Sequence, residues 1–238
     1  MKVFLKFNRS DAHSIICLHQ WMEIFKNYEM IVVCDLYNVD KEQQPQFLKN
    51  LAIDYTFSVI NTDYSSGNFL PFKAKKKKMA SANITCWQHL SKKDKCFWII
   101  DADDTMFLSF QYDIIRDKLK KAEDTLLSEN LNAYSLDFYR EYNNAWTFGV
   151  CCVNANTDVS KISLVTNEEI TNNNLPINFD SVFDVLGRNG VYKLKSFVLN
   201  ECGFQHLINN FPKLAGGIYY WQNRKLWDIP LLNEVDEI

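Results

Sequence analysis

Three carboxylates stand within four residues at Asp101-Ala102-Asp103-Asp104, directly after the apolar run Cys96-Phe97-Trp98-Ile99-Ile100. Carboxylates this close repel one another, and without a compensating cation their crowding costs stability or raises a pKa. A divalent ion resolves the conflict. An all-oxygen donor set favours Mg²⁺ or Mn²⁺, with water and phosphate oxygens completing the shell. An exposed acidic turn capping the next helix is the competing account of the same residues. A single carboxylate, Asp35, ends the earlier run Met30-Ile31-Val32-Val33-Cys34, where a plain strand-end turn competes. Ligands of open α/β sheets bind beyond the carboxyl ends of the strands, so both positions are where a site is expected.

A second chemical feature is the run Lys75-Lys76-Lys77-Lys78, followed by Asn83 on a helix predicted to lead into the acidic strand. Such a basic helix suits a diphosphate, and a solvated basic face or a contact with an anionic membrane competes with that reading. A helix turns 100° per residue, so four successive lysines cannot aim at one point and at least two of them face solvent.

The elements that must hold these residues alternate along the first half. Lys2 to Phe7 reads as a strand, and Ser10-Asp11 can cap a helix on which Leu18, Trp21, Met22 and Phe25 recur at helical spacing. Met30 to Cys34 reads as a buried parallel strand. A short helix near Gln44 to Leu51, a strand at Tyr55 to Ile60, a long helix from Lys73 to Leu90 and the strand Cys96 to Ile100 follow. This βαβαβαβ order implies a parallel sheet covered by helices. Beyond it, Ile114 to Leu127 reads as an amphipathic helix, and Ala133 to Tyr139 and Ala145 to Val153 as strands with no helix between them, so the sheet is expected to become mixed. Asn172 to Asn178 reads as a loop.

Composition bounds the answer further. The chain has 238 residues, 47% of them hydrophobic, with a net charge of −3 and only 7 Gly and 5 Pro. These values describe a folded globular chain, one domain by the absence of repeats and linkers, and argue against a nucleic-acid partner. The charged N-terminus lacks the apolar stretch of about 7–15 residues that a signal peptide needs, and no apolar run approaches the ~18 residues of a membrane span. The expected location is cytoplasmic, with the seven cysteines as buried thiols.

Two families share the local acidic signature. Asp101-x-Asp103-Asp104-Thr105 resembles the first motif of haloacid-dehalogenase-like phosphatases, and Ile162-Ser163-Leu164-Val165-Thr166-Asn167 their second. That resemblance implies a Mg²⁺-dependent phosphatase with Asp101 as nucleophile and Asp103 as acid/base, and it covers about a quarter of the chain.

The other resemblance covers nearly all of it. The strand leading to Asn8-Arg9-Ser10-Asp11, then Glu29 to Asp35, then a basic helix with Asn83, then Phe97-Trp98-Ile99-Ile100-Asp101-Ala102-Asp103-Asp104 resembles glycosyltransferase family 2 with its GT-A fold. It implies a single GT-A-like α/β domain over 1–238, with a mixed, mostly parallel sheet flanked by helices. Residues 1–105 would bind a nucleotide sugar and residues 106–238 an acceptor, a glycan or lipid-linked molecule of polysaccharide or lipopolysaccharide assembly, with peripheral contact at the inner face of the membrane.

The resemblance places Asp35 at the nucleobase or ribose, although Cys34 stands where the family usually has the first of two acidic residues. It places Lys77 and Asn83 at the diphosphate. The acidic run is its DXD-type motif, with Asp103 on Mn²⁺ or Mg²⁺, Asp101 at ribose or sugar and Asp104 assisting. His206, late in the chain, matches a histidine that some such enzymes set against the metal. Inverting transfer needs a base for the acceptor hydroxyl, and the resemblance puts it at Asp180, with Asp184 in reserve. Asp180 as a plain helix N-cap competes. As a base near a helix N-terminus its pKa is expected to be lowered. Trp146-Thr147-Phe148-Gly149 lines a sugar pocket or packs the core, and Tyr219-Tyr220-Trp221 docks a membrane interface or packs a last element. A protein that keeps the fold and binds the nucleotide sugar without an active base is the non-enzymatic alternative.

Overall fold

The computed structural model describes residues 1–7, 12–34, 46–102, 112–136 and 148–197. Their order is β1 (Lys2–Phe7), α1 (Ala12–Ile24), β2 (Glu29–Cys34), α2 (Gln46–Asp54), β3 (Phe57–Asn61), α3 (Ala74–Gln88), β4 (Cys96–Asp101), α4 (Tyr112–Ser128), β5 (Ala133–Leu136), β6 (Val150–Asn154), a short 3-10 helix (Val159–Leu164), α5 (Asn167–Asn172), α6 (Phe179–Arg188) and β7 (Leu194–Phe197).

The apolar runs became strands because both of their faces are covered. Along β1, Val3, Leu5 and Phe7 join Trp98 and Ile100 of β4 and pack on Leu18, Trp21 and Met22 of α1 and Leu119 and Leu126 of α4. Phe4, between them, points the other way with Phe97 and Ile99, onto Ala80 and Ile84 of α3 and Val182 and Phe183 of α6. The period of two sorts each strand into two cores, one per face. Trp98 is anchored in the first core by an indole N–H that donates to Glu123 of α4 at 2.8 Å.

Seven strands lie in the order β3-β2-β1-β4-β6-β5-β7. The first four run parallel, β6 is antiparallel to both β4 and β5, and β5 and β7 pair in parallel. The change to a mixed sheet therefore falls in the second half of the chain, at β6. The fold is one α/β domain with a mixed, mostly parallel sheet between helices.

Several expected boundaries move. Strand β6 starts at Val150 rather than Ala145; Phe148 and Gly149 precede it, and residues 137–147 lie outside the described residues. The stretch matched to a second phosphatase motif is not a strand. Asp158 caps the 3-10 helix by accepting from the Ser160 amide, and Thr166 and Glu169 form a reciprocal capping box at the start of α5. Those side chains are committed to helix ends. The expected division near residue 105 also falls outside the described residues, as do Ser10 and Asp11. The six described cysteines are buried thiols, and Cys202 lies outside.

Candidate functional site

From β1 the chain steps to β2 and β3 on one side, and β4 then enters on the other. Strand order reverses there, which opens a crevice at the carboxyl ends of β1 and β4. The register sets Lys6 opposite Asp101. Both have the parity of Phe4 and Phe97, so their side chains lie on the face covered by α3 and α6. The Lys6 ammonium stands 2.5 Å from Asp101 Oδ1 and 2.6 Å from Asn83 Oδ1 on α3. Lys6 is only 9% exposed, and a cation so enclosed needs such partners to offset lost hydration. The ladder holds to the end of the strand: the Asp101 amide donates to the Gly149 carbonyl at 2.6 Å and the Ala102 amide to the Lys6 carbonyl at 2.9 Å.

Helix α6 brings in the other carboxylate. Its N-cap is Asn178, whose side chain accepts from the Ser181 amide at 2.9 Å. Asp180 is thus the second residue inside the helix, and its carboxylate accepts from the Phe148 amide instead. Burial, and next the negative charge of Asp101, push the Asp180 pKa up to about 6; Lys6, the Phe148 amide and Lys76 pull the other way. The lowered pKa expected at a helix N-terminus is therefore corrected. Desolvation and a like charge outweigh the helix end. Asp184, the reserve, is bound on both oxygens by the Arg188 guanidinium at 3.1 and 3.0 Å.

Helix α3 supplies Asn83 and the lysines. Lys77 reaches the Asn68 carbonyl at 3.3 Å, whereas the charge of Lys76 is felt at Asp180. The helical angle explains the difference: residues seven apart, such as 76 and 83, nearly eclipse, while residues six apart, such as 77 and 83, diverge by about 120°. Lys78 is exposed, with its ammonium 5.4 Å from the centre of the Tyr64 ring.

The structure thus joins Asp101, Asn83 and Asp180 of the expected set through Lys6, and leaves Lys77 on the neighbouring loop. Asp35, Asp103, Asp104 and His206 lie outside the described residues, as do Trp146, Thr147 and residues 219–221. Phe148 is a core residue, with ring centroids 4.8 Å from Phe183 and 5.3 Å from Phe179. His19 and His89 are both exposed; the first lies against Tyr55 and the second ends α3.

Among the described residues no group of three or more His, Cys, Asp or Glu side chains is placed to hold a metal ion. Asp101, which would have to turn toward such an ion, is already paired with an ammonium. The described residues do not fit a metal by themselves.

Sequence reasoning missed Lys6, Lys76 and the Phe148 amide. For Lys6 a signal was present, since a lysine inside a run otherwise buried on both faces must have a partner in the core. For Lys76 the helical angle to Asn83 was the signal. For the amide there was none.

No protein-family model matches the chain, and no curated protein matches its sequence. Solved structures do match its shape. Mouse xyloside xylosyltransferase 1 superposes over 84% of this chain and 86% of its own, with a TM-score of 0.55 and 10% identity. The galactosyltransferase LgtC, solved in complex with donor and acceptor sugar analogs, superposes over 82% of this chain and 73% of its own, with a TM-score of 0.52 and 12% identity. At such identities the likeness is one of fold rather than of membership in glycosyltransferase family 2. The chain has a GT-A-like fold.

Proposed function

We propose that the protein moves a sugar from a nucleotide-diphosphate sugar to a hydroxyl of a glycan or lipid-linked acceptor, with Asp180 as general base. The observation that carries this reading is a desolvated carboxyl beside Asp101 at the switch-point crevice, its pKa pushed up to about 6. A base poised near neutrality is ionised at working pH and still basic enough to accept a proton. In the reaction Asp180 takes the proton of the acceptor hydroxyl, the oxygen forms its bond to the anomeric carbon, and the bond to the diphosphate breaks on the opposite face. The product is inverted.

The leaving diphosphate needs positive charge. The N-terminal end of α3 offers it, with Lys76 in its first turn and no side chain capping its amides. Asp101 and Asn83, fixed by Lys6, stand where ribose, sugar and diphosphate would meet the protein. Among the described residues no helix is long and apolar enough to cross a membrane.

The test is thermal unfolding of the wild type and Asp180→Asn with UDP, GDP, CDP and a plain phosphate ester, each with and without Mn²⁺. One nucleoside diphosphate is expected to raise the melting temperature of both proteins. Transfer from the matching nucleotide sugar should rise with pH through about 6 in the wild type. In Asp180→Asn it should fall by on the order of 10²-fold or more. Stabilisation by the phosphate ester alone would move the reading to a phosphatase, and retention of anomeric configuration would remove Asp180 from the role of base.

A further inference from the structure

We propose that Lys6 is a positioning residue that acts as the resident counter-cation of Asp101 at the end of β4. It holds Asp101 and Asn83 in place from inside the sheet and occupies the side of Asp101 that a divalent ion would otherwise take. The inference rests on reading this crevice as the donor site. It does not require that any sugar be transferred.

The geometry is unusual for a lysine. Its backbone is a rung of β1, so the ammonium is delivered from the sheet and not from a mobile surface side chain. Two oxygens from two other elements, Asp101 Oδ1 of β4 and Asn83 Oδ1 of α3, lie at 2.5 and 2.6 Å. The Lys6 side chain is 11% exposed and that of Asp101 36%, so the pair is closed on the lysine side and open on the carboxylate side. An ammonium cannot accept a hydrogen bond, and its donors fix the orientation of both oxygens. Its charge also reaches Asp180, the second carboxylate of the crevice.

Removing that charge would leave Asp101 and Asp180, whose charges act on each other, without the cation that β1 supplies to both. Two such carboxylates attract a divalent ion. The lysine therefore sets the affinity of the crevice for metal by competing for Asp101. A lysine that only supported the fold would have the opposite effect, because loosening the strand ends scatters the ligands and weakens any metal binding.

The experiment measures Mn²⁺ binding alone, without nucleotide, to the full chain as wild type, Lys6→Met, Asp101→Asn and the double variant Lys6→Met/Asp101→Asn. Circular dichroism checks that each is folded. Mn²⁺ is expected to bind Lys6→Met at least about tenfold more tightly than wild type, and the gain should vanish in the double variant. Unchanged or weaker binding in Lys6→Met, or a gain that survives Asp101→Asn, overturns the proposal.

A second readout needs no change at Lys6. The side-chain ammonium resonance of Lys6, followed by NMR in folded wild type, should be protected from exchange and should shift in Asp101→Asn and in Asn83→Ala. A freely exchanging signal, indifferent to both, overturns the proposal even if Lys6→Met does not fold. Neither readout depends on nucleotide or transfer, so failure of the transferase reading and failure of this one are told apart.

Discussion

A carboxylate taken out of water is held there at the expense of the fold. Asp180 has a folded-state pKa of about 6 against an ordinary value of 3.8, raised first by burial and then by Asp101. Below pH 3.8 both states carry the proton and the shift has no effect. Between the two values the folded protein binds the proton more tightly than the unfolded chain, so stability falls as pH rises through that window, and above about 6 the full penalty is present. Asp180→Asn removes the charge and the penalty together. The variant should be more stable than wild type at pH 8 by on the order of 1–3 kcal/mol, with the advantage fading toward pH 4. Urea melts at the two pH values measure it. A variant less stable than wild type at pH 8 would mean that the Phe148 amide and the lysines hold the charged form more firmly than burial opposes it. A gain in stability on removing an acidic residue from a crevice is a usual mark of a functional group.

At the scale of elements, α3 carries Asn83 and the lysines and is itself held by the loop that precedes it. The Gly67 amide donates to Ser81 Oγ at 3.1 Å, and that hydroxyl donates to the Lys77 carbonyl at 2.9 Å. A Cβ on Gly67 would lie 2.5 Å from Ser81 Oγ and 2.9 Å from the Lys77 carbonyl oxygen. The second contact is with helix backbone and cannot swing aside. Gly67→Ala should therefore cost about 1–3 kcal/mol. In a chain of this size that lowers the melting temperature by several degrees, on the order of 2–4 °C per kcal/mol. Because the loop shares its anchor with the lysine turn, nucleoside diphosphate binding should weaken as well; a variant that melts like wild type removes the loop from this role. The existence of α3 was legible in the sequence, and so was β4, an all-apolar run ending in carboxylates. What pairs with what was not. Lys6 and Asp101 are ninety-five positions apart and meet only through strand register, which no local pattern encodes. The raised pKa of Asp180 was hidden for the same reason, since its sign depends on Asp101 and on burial by neighbours from distant segments.

For the molecule as a whole, the two faces of the sheet carry different duties. The face under α3 and α6 holds Lys6, Asp101, Asn83 and Asp180. The face under α1 and α4 holds a buried polar anchor with no link to that cluster among the bonds described here. Glu123, 1% exposed, accepts from Trp98 Nε1 and Tyr28 Oη, each at 2.8 Å, and pairs with Lys120 at 3.0 Å. It joins α4 to β4 and to the segment entering β2. Truncation by Glu123→Ala leaves the indole N–H and the phenol without their acceptor and opens a cavity, at a cost of about 2–4 kcal/mol. Glu123→Gln keeps an acceptor oxygen and gives up mainly the pair with the largely exposed Lys120, so its cost should stay below about 1.5 kcal/mol. Neither change touches the crevice. At a temperature where both variants remain folded, nucleoside diphosphate affinity should equal that of wild type while the denaturant midpoints separate in the order wild type, Gln, Ala. A drop in affinity that tracks the loss of stability would show that the first core positions the site through β4, whose residues 98 and 101 face opposite sides of one strand, and the division of duties between the faces would then fail at that strand.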